Sequence, residues 1–251
     1  MAYIENLGYF DVLRLSLGLI FTIISMIIGI IMILKYFSLN RSNLILVGIT
    51  WIGLAFPYVP DAINLLLITF SDFFLPEQIY LIITISILPI PLCCWLVAIS
   101  DILYFQKQKI VAIISISISI IFEIVFFSLL FLDYEYFIGD PYTNGKIVVQ
   151  TYSPFIQIYF LTCLGLFVLT GLIFGFQAVK SSDAEIKLKG KFLLGAFILL
   201  LFALAIEVII EDPSPSIVIA RSIMRSVSAL LFYLGFILPN TMKKRLLKHN
   251  S

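Results

Sequence analysis

Long apolar stretches, each closed by a few polar residues, recur seven times along the chain. They lie at 9–37, 44–59, 77–104, 109–132, 154–178, 184–210 and 216–239. A helix needs roughly 20 apolar residues to cross the hydrocarbon layer, and most of these stretches reach that length. The pattern predicts an all-α membrane protein, a single seven-transmembrane helix bundle covering 1–251. The breaks carry information too. Pro57 and Pro60 interrupt the second stretch, since proline removes a helical donor and clashes with the preceding turn. The segment 61–74 is still apolar but holds Asp61, Asn64 and Asp72. It reads as a separate short helix at the outer surface, with one long kinked helix as the alternative. Pro89 and Pro91 predict a kink in the third span. Between the fourth and fifth spans, β-prone runs at 134–138 and 146–152 flank Gly139-Asp-Pro-Tyr-Thr-Asn-Gly145. Turn residues between two such runs predict a small outer β-hairpin.

Composition agrees with this pattern. The chain is 61% hydrophobic and 12% charged, against about 45–50% and about 25% in soluble domains, so lipid is the solvent for most of it. Glu5, Asp11 and Arg14 precede or open the first apolar stretch. That is not the basic leader of a secretory signal, and the stretch reads as a retained span. A net charge of +1 gives no sign of nucleic-acid binding. The placement of the charges is more telling. Lys35, Arg41, Lys107, Lys109, Lys180, Lys187, Lys189, Lys191, Lys243, Lys244, Arg245 and Lys248 fall on one side of the spans. Arg14, Lys146 and Arg221 fall on the other, among most of the acids. Basic residues mark the cytoplasmic side, which predicts a multi-pass cell-membrane protein with its N-terminus outside and its C-terminus in the cytoplasm.

Candidate chemistry is sparse. Cys93, Cys94 and Cys163 lie in apolar runs without the spacing of a metal or redox site. The one histidine is His249. No nucleophile, base and orienting group converge in the sequence, so neither an enzyme nor a cofactor or metal is expected. Ionisable residues within spans are costly and are functional candidates for that reason. They are Arg14, Glu123, Glu207 and Arg225, with Arg221 nearer the surface. Glu207 and Arg221 each lie seven residues from Ser214, the centre of the link between spans 6 and 7, and so at similar depth. Arg221 and Arg225 are four apart and share a helix face. Arg225 lies nine residues into span 7, about 13 Å deep at roughly 1.5 Å per residue. Glu123 reaches a similar depth on span 4, which allows a Glu123–Arg225 pair; these ions either only neutralise one another inside the bundle or form a ligand, ion or proton site in its outer half. At the basic side, Lys187, Lys189 and Lys191 form either an interfacial anchor or a surface for a cytoplasmic signalling partner. Ser182 or Asp183 is expected to cap span 6, Glu185 to pair with Lys189, Gly190 to admit a close helix neighbour, and Asp101 to pair with Lys107.

Three segments carry a family resemblance: Leu92-Cys-Cys-Trp-Leu-Val-Ala-Ile-Ser-Asp101, Lys187-Leu-Lys-Gly-Lys-Phe-Leu-Leu194 and Phe232-Tyr-Leu-Gly-Phe-Ile-Leu-Pro239. With the order of spans, they resemble a group of seven-helix membrane proteins of Asgard-type archaea, a group that brings no activity with it. More distantly, the layout is similar to the seven-helix sensor regions that precede histidine kinases, with no kinase expected after span 7. Microbial rhodopsins fit poorly, because span 7 has no lysine to hold retinal. G-protein-coupled receptors fit poorly as well, because span 3 ends in Ser100-Asp-Ile-Leu-Tyr104 without their acidic-Arg-Tyr triplet. The first expectation is a receptor-like or sensor-like protein binding a small or lipidic ligand in the outer half of the bundle. A small transporter or channel and a membrane scaffold without ligand are the alternatives.

Overall fold

The computed structural model describes residues 8–71, 73–103, 107–140, 151–210 and 214–247. Among them are ten α-helices: α1 Tyr9–Leu39, α2 Asn43–Leu54, α3 Val59–Ser71, α4 Glu77–Leu81, α5 Pro89–Leu103, α6 Gln108–Phe137, α7 Pro154–Val179, α8 Ala184–Ile209, α9 Pro215–Phe236 and α10 Asn240–Leu247. These supply seven spans long and apolar enough to cross a membrane, so the chain is a multi-pass membrane protein in a lipid environment.

Span ends follow local chemistry. Asn40 adopts the left-handed conformation (φ 50°), and its N–H donates to the Tyr36 carbonyl, closing α1. Asp183, rather than Ser182, caps α8 by accepting the N–H groups of Glu185 and Ile186 at 2.7 and 3.1 Å. Ser153 caps α7, with Pro154 at the first helical position.

The second span corrects the separate surface helix. A 3₁₀ turn at Phe56–Tyr58 joins α2 directly to α3, giving one kinked span over Asn43–Ser71. Pro57 and Pro60 sit at the joint, where a tighter turn absorbs their missing donors. The consequence is that Asp61 and Asn64 are buried. The third span bends as its prolines predict, through a π-helical turn, Ile82–Ser86, between α4 and α5.

The hairpin also differs from expectation. α6 has an extended residue at Asp133, where the predicted span ends, and then one more helical turn to Phe137. Asp133 accepts the Tyr136 N–H at 3.3 Å, holding that turn. Residues 134–137 are therefore helix, not strand. Two short strands do pair antiparallel, β1 Gly139–Asp140 with β2 Thr151–Tyr152. Most of the predicted turn and most of the second run lie outside the described residues.

Packing arranges the spans in a ring. α1 packs on α2, α3 and α9; α9 on α8; α8 on α7; α7 and α2 both on α5. α6 leans on α5 from outside. Only 6% of its most apolar window is buried, against 28–44% for the other spans, so most of its isoleucines face lipid. The half of the ring toward the lysine-rich links is filled by aromatic rings. Trp51 stacks on Phe232 at 4.2 Å between centroids, and Trp95 packs among Phe167, Phe197, Phe232 and Phe236. The Trp95 indole N–H donates to Thr170 Oγ1 at 2.8 Å, so its polar atom is satisfied within the core. Two backbone approaches allow this density. Gly48 lies against the Gly29 carbonyl of α1, and Gly190 against the Ala178–Val179 backbone of α7, the latter as the sequence predicts.

Candidate functional site

At the end of the ring away from the lysine-rich links, the polar side chains converge. α8 brings Glu207 to α9, whose Arg221 and Arg225 lie one turn apart on the inner face. Arg225 Nη1 donates to Glu207 Oε2 at 3.2 Å. Arg221 Nη1 approaches Glu207 Oε1 only to 3.8 Å. The expected pairing of the acid on span 6 with the arginines on span 7 is thus present, and Arg225 is the nearer partner. The kinked second span adds Tyr58, whose hydroxyl donates to the same Glu207 Oε2 at 3.0 Å. Its ring lies 4.3 Å below the Arg225 guanidinium carbon, with Phe21 of α1 at 5.4 Å on the same cation. Aromatic faces stabilise a desolvated guanidinium by roughly 0.5–2 kcal/mol. Ser222 Oγ accepts from Arg225 Nη2 at 3.3 Å. Arg225 is 4% exposed and Arg221 5%. The Glu207 side chain keeps 29% exposure, so the cluster opens beside it.

A second group adjoins the first. Asp61 Oδ1 accepts from the Tyr80 hydroxyl at 2.8 Å, and both residues are buried. Arg14 lies near enough for its charge to act on Asp61. Tyr152 of β2 lies within reach of the charges of Asp61, Arg14 and Glu207, and burial pushes its hydroxyl well above the ordinary tyrosine range. Asn64 Oδ1 accepts the Leu75 N–H at 2.9 Å, fixing the link into the third span.

Three members of the site escape sequence reasoning: Asp61, Tyr58 and Tyr80. The sequence places Asp61 on a surface helix, and the tyrosines read as interfacial aromatics. The available signal is the pair of prolines around Tyr58, which marks a bend directed into the bundle.

Glu123 corrects another expectation. It does not pair with Arg225, because α6 stands outside the ring. Its Oε2 accepts from Ser86 Oγ of the π-helical turn at 3.0 Å, and its side chain is half-buried. Asp101 likewise accepts from Asn43 Nδ2 at 2.7 Å instead of meeting Lys107.

Between the charged cluster and the aromatic core, Thr50, Leu54, Leu88, Pro91 and Phe167 border a crevice of about 10 Å³ with an apolar lining. That is below the roughly 300–1,000 Å³ of drug-sized pockets. Thr50 Oγ1 donates to the carbonyls of Leu46 and Pro91 at 2.8 and 3.1 Å across this crevice.

At the lysine-rich end, Glu185 bridges two lysines. Lys189 sits at 2.9 Å, as its spacing predicts. The other is Lys243 of α10, which this pairing ties back to the bundle. Lys187 and Lys191 are exposed. No protein family, curated protein or solved structure matches this chain, so function is argued from its geometry.

Proposed function

We propose that this chain is a receptor-like or sensor-like protein of the cell membrane. Its N-terminus is outside and its C-terminus cytoplasmic. A small or lipidic ligand binds in the outer half, at the cluster of Tyr58, Glu207, Arg221 and Arg225 with Asp61 and Arg14 alongside. The observation that carries this reading is the contrast between the two halves of the ring. The buried charged groups are concentrated in one half, and the other is filled by Trp51, Trp95, Phe167, Phe197 and Phe232. A site closed at its base suits binding and release on one side. Transport needs a polar route across the midplane, and the aromatic layer stands across that route.

A relay is available in the third span. The π-helical turn and the Pro89–Pro91 bend lie between Tyr80, which touches the cluster, and Trp95, which anchors the core. π turns and proline bends are where helices change angle at low cost. Occupation of the cluster would shift α4 against α5, and the shift would reach Lys187, Lys189 and Lys191 and a cytoplasmic signalling partner.

The test is a thermal-shift screen of small molecules and lipids on protein in nanodiscs. A true ligand stabilises the wild type, loses its effect in Arg225→Gln, and is not accumulated by proteoliposomes carrying the protein. A stabilising compound that is indifferent to Arg225→Gln, or is pumped inside, contradicts the proposal.

A further inference from the structure

Resting on that reading, we propose that the ligand presents an oxyanion, a carboxylate or phosphate group, and that Arg221 receives it. The charges in the cluster do not balance. Among the described residues, Arg14, Arg221 and Arg225 face two carboxylates, Glu207 and Asp61, and Arg221 and Arg225 are both buried and both paired to Glu207. Arg225 is the better engaged: Glu207 and Ser222 take its two terminal nitrogens, and Tyr58 and Phe21 face its plane, leaving only its Nε without a partner. Arg221 has no such set. Among the described residues its nearest acid oxygen is at 3.8 Å, beyond hydrogen-bond range, and its Nε has no hydrogen-bond partner. It also feels the like charges of Arg225 and Arg14.

A structural ion pair needs one arginine for one glutamate. The second leaves a buried positive charge, with its donors unfilled, in surroundings where such groups are strongly penalised. A monoanion settles both deficits at once. The guanidinium edge formed by Nε and one terminal nitrogen matches two oxygens of a carboxylate or phosphate. The partly exposed Glu207 side chain marks the accessible side of the cluster. Arg221 is six residues into α9, about 9 Å below its start at roughly 1.5 Å per residue. A membrane amphiphile with its head at the interface reaches that depth, and so does a soluble anion.

The experiment measures binding to delipidated protein in neutral detergent. The probes are decanoate, methyl decanoate, dodecyl phosphate, acetate and inorganic phosphate. Decanoate or dodecyl phosphate should stabilise the wild type, and methyl decanoate should not. If acetate or inorganic phosphate is equally effective, the source is a soluble anion; if only the tailed anions bind, it is a membrane amphiphile. Arg221→Gln should weaken anion binding roughly 10- to 150-fold, the factor carried by one charge-assisted hydrogen bond. Arg221→Lys, which keeps the charge but loses the fork, should fall between. Equal binding of decanoate and its methyl ester would overturn the inference without touching the ligand site itself. So would anion binding unchanged in both variants, or no response to any anion in a protein that still binds a neutral ligand in an Arg225-dependent way.

Discussion

Removing the charges of the cluster one at a time should give three very different costs. Glu207→Gln leaves Arg221 and Arg225 facing each other without the carboxylate that pairs with both, and it weakens the acceptor of the 3.0 Å Tyr58 hydrogen bond. Breaking a buried pair by deleting one partner costs about 3–5 kcal/mol. The 29% exposure of the Glu207 side chain places the loss at the low end, about 3 kcal/mol. Arg225→Gln removes a 3.2 Å ion pair and two aromatic contacts, but Arg221 remains to neutralise Glu207. Its cost is about 2 kcal/mol. Arg221→Gln deletes a charge that is poorly paired to begin with, so ligand-free stability should change by less than about 1 kcal/mol in either direction. Converting all three to apolar residues of similar size, Glu207→Leu with Arg221→Met and Arg225→Met, should recover most of the Glu207→Gln loss. The assay is equilibrium unfolding of ligand-free protein in mixed micelles. If Arg221→Gln costs as much as Glu207→Gln, the two-to-one charge arrangement is wrong.

Other consequences are independent of the cluster. Gly48→Ala puts a Cβ 2.7 Å from the Gly29 carbonyl oxygen, a contact backbone cannot relieve. The helices must part, and stability in the same micelles should fall by about 1–3 kcal/mol. Lys243 has its pKa raised by Glu185, so the tie of α10 to the bundle is intact below the ordinary lysine value and is lost as pH rises through the raised one. A spin label at Thr241→Cys should be immobilised near neutral pH and mobile in strong alkali, and Lys243→Gln should make it mobile at every pH. A label immobile in strong alkali would remove the role of this ion pair. For orientation, a membrane-impermeant thiol reagent on intact cells should label Asn144→Cys and spare Ser182→Cys; the reverse result would invert the topology.

The sequence is most legible where single helices determine the outcome. Apolar length places the seven spans, and Asp183, Pro89, Pro91 and the Glu185–Lys189 spacing act locally as their chemistry dictates. Even the end of the fourth span is readable, since the chain leaves helical geometry at Asp133. The extra turn at 134–137 is not, because a β-prone run can complete a helical turn when Asp133 caps it. Contacts between helices are hardest to read. Depth along a helix gives the Glu207–arginine pairing, because α8 and α9 are sequence neighbours. It fails for Glu123 and Arg225, because depth says nothing about which spans touch, and α6 lies outside the ring. Asp61 is misplaced by the sequence because two prolines read as the end of a span, whereas they bend one and turn its polar residues inward.

Whether the charged cluster is a ligand site closed toward the cytoplasmic half can be decided by native mass spectrometry. The protein would be extracted from its source membranes in mild detergent, with Arg225→Gln prepared in parallel. One defined adduct should survive detergent exchange on the wild type and be absent from the variant. A wild type with no retained adduct, or the same adduct on both proteins, would contradict a ligand site at this cluster.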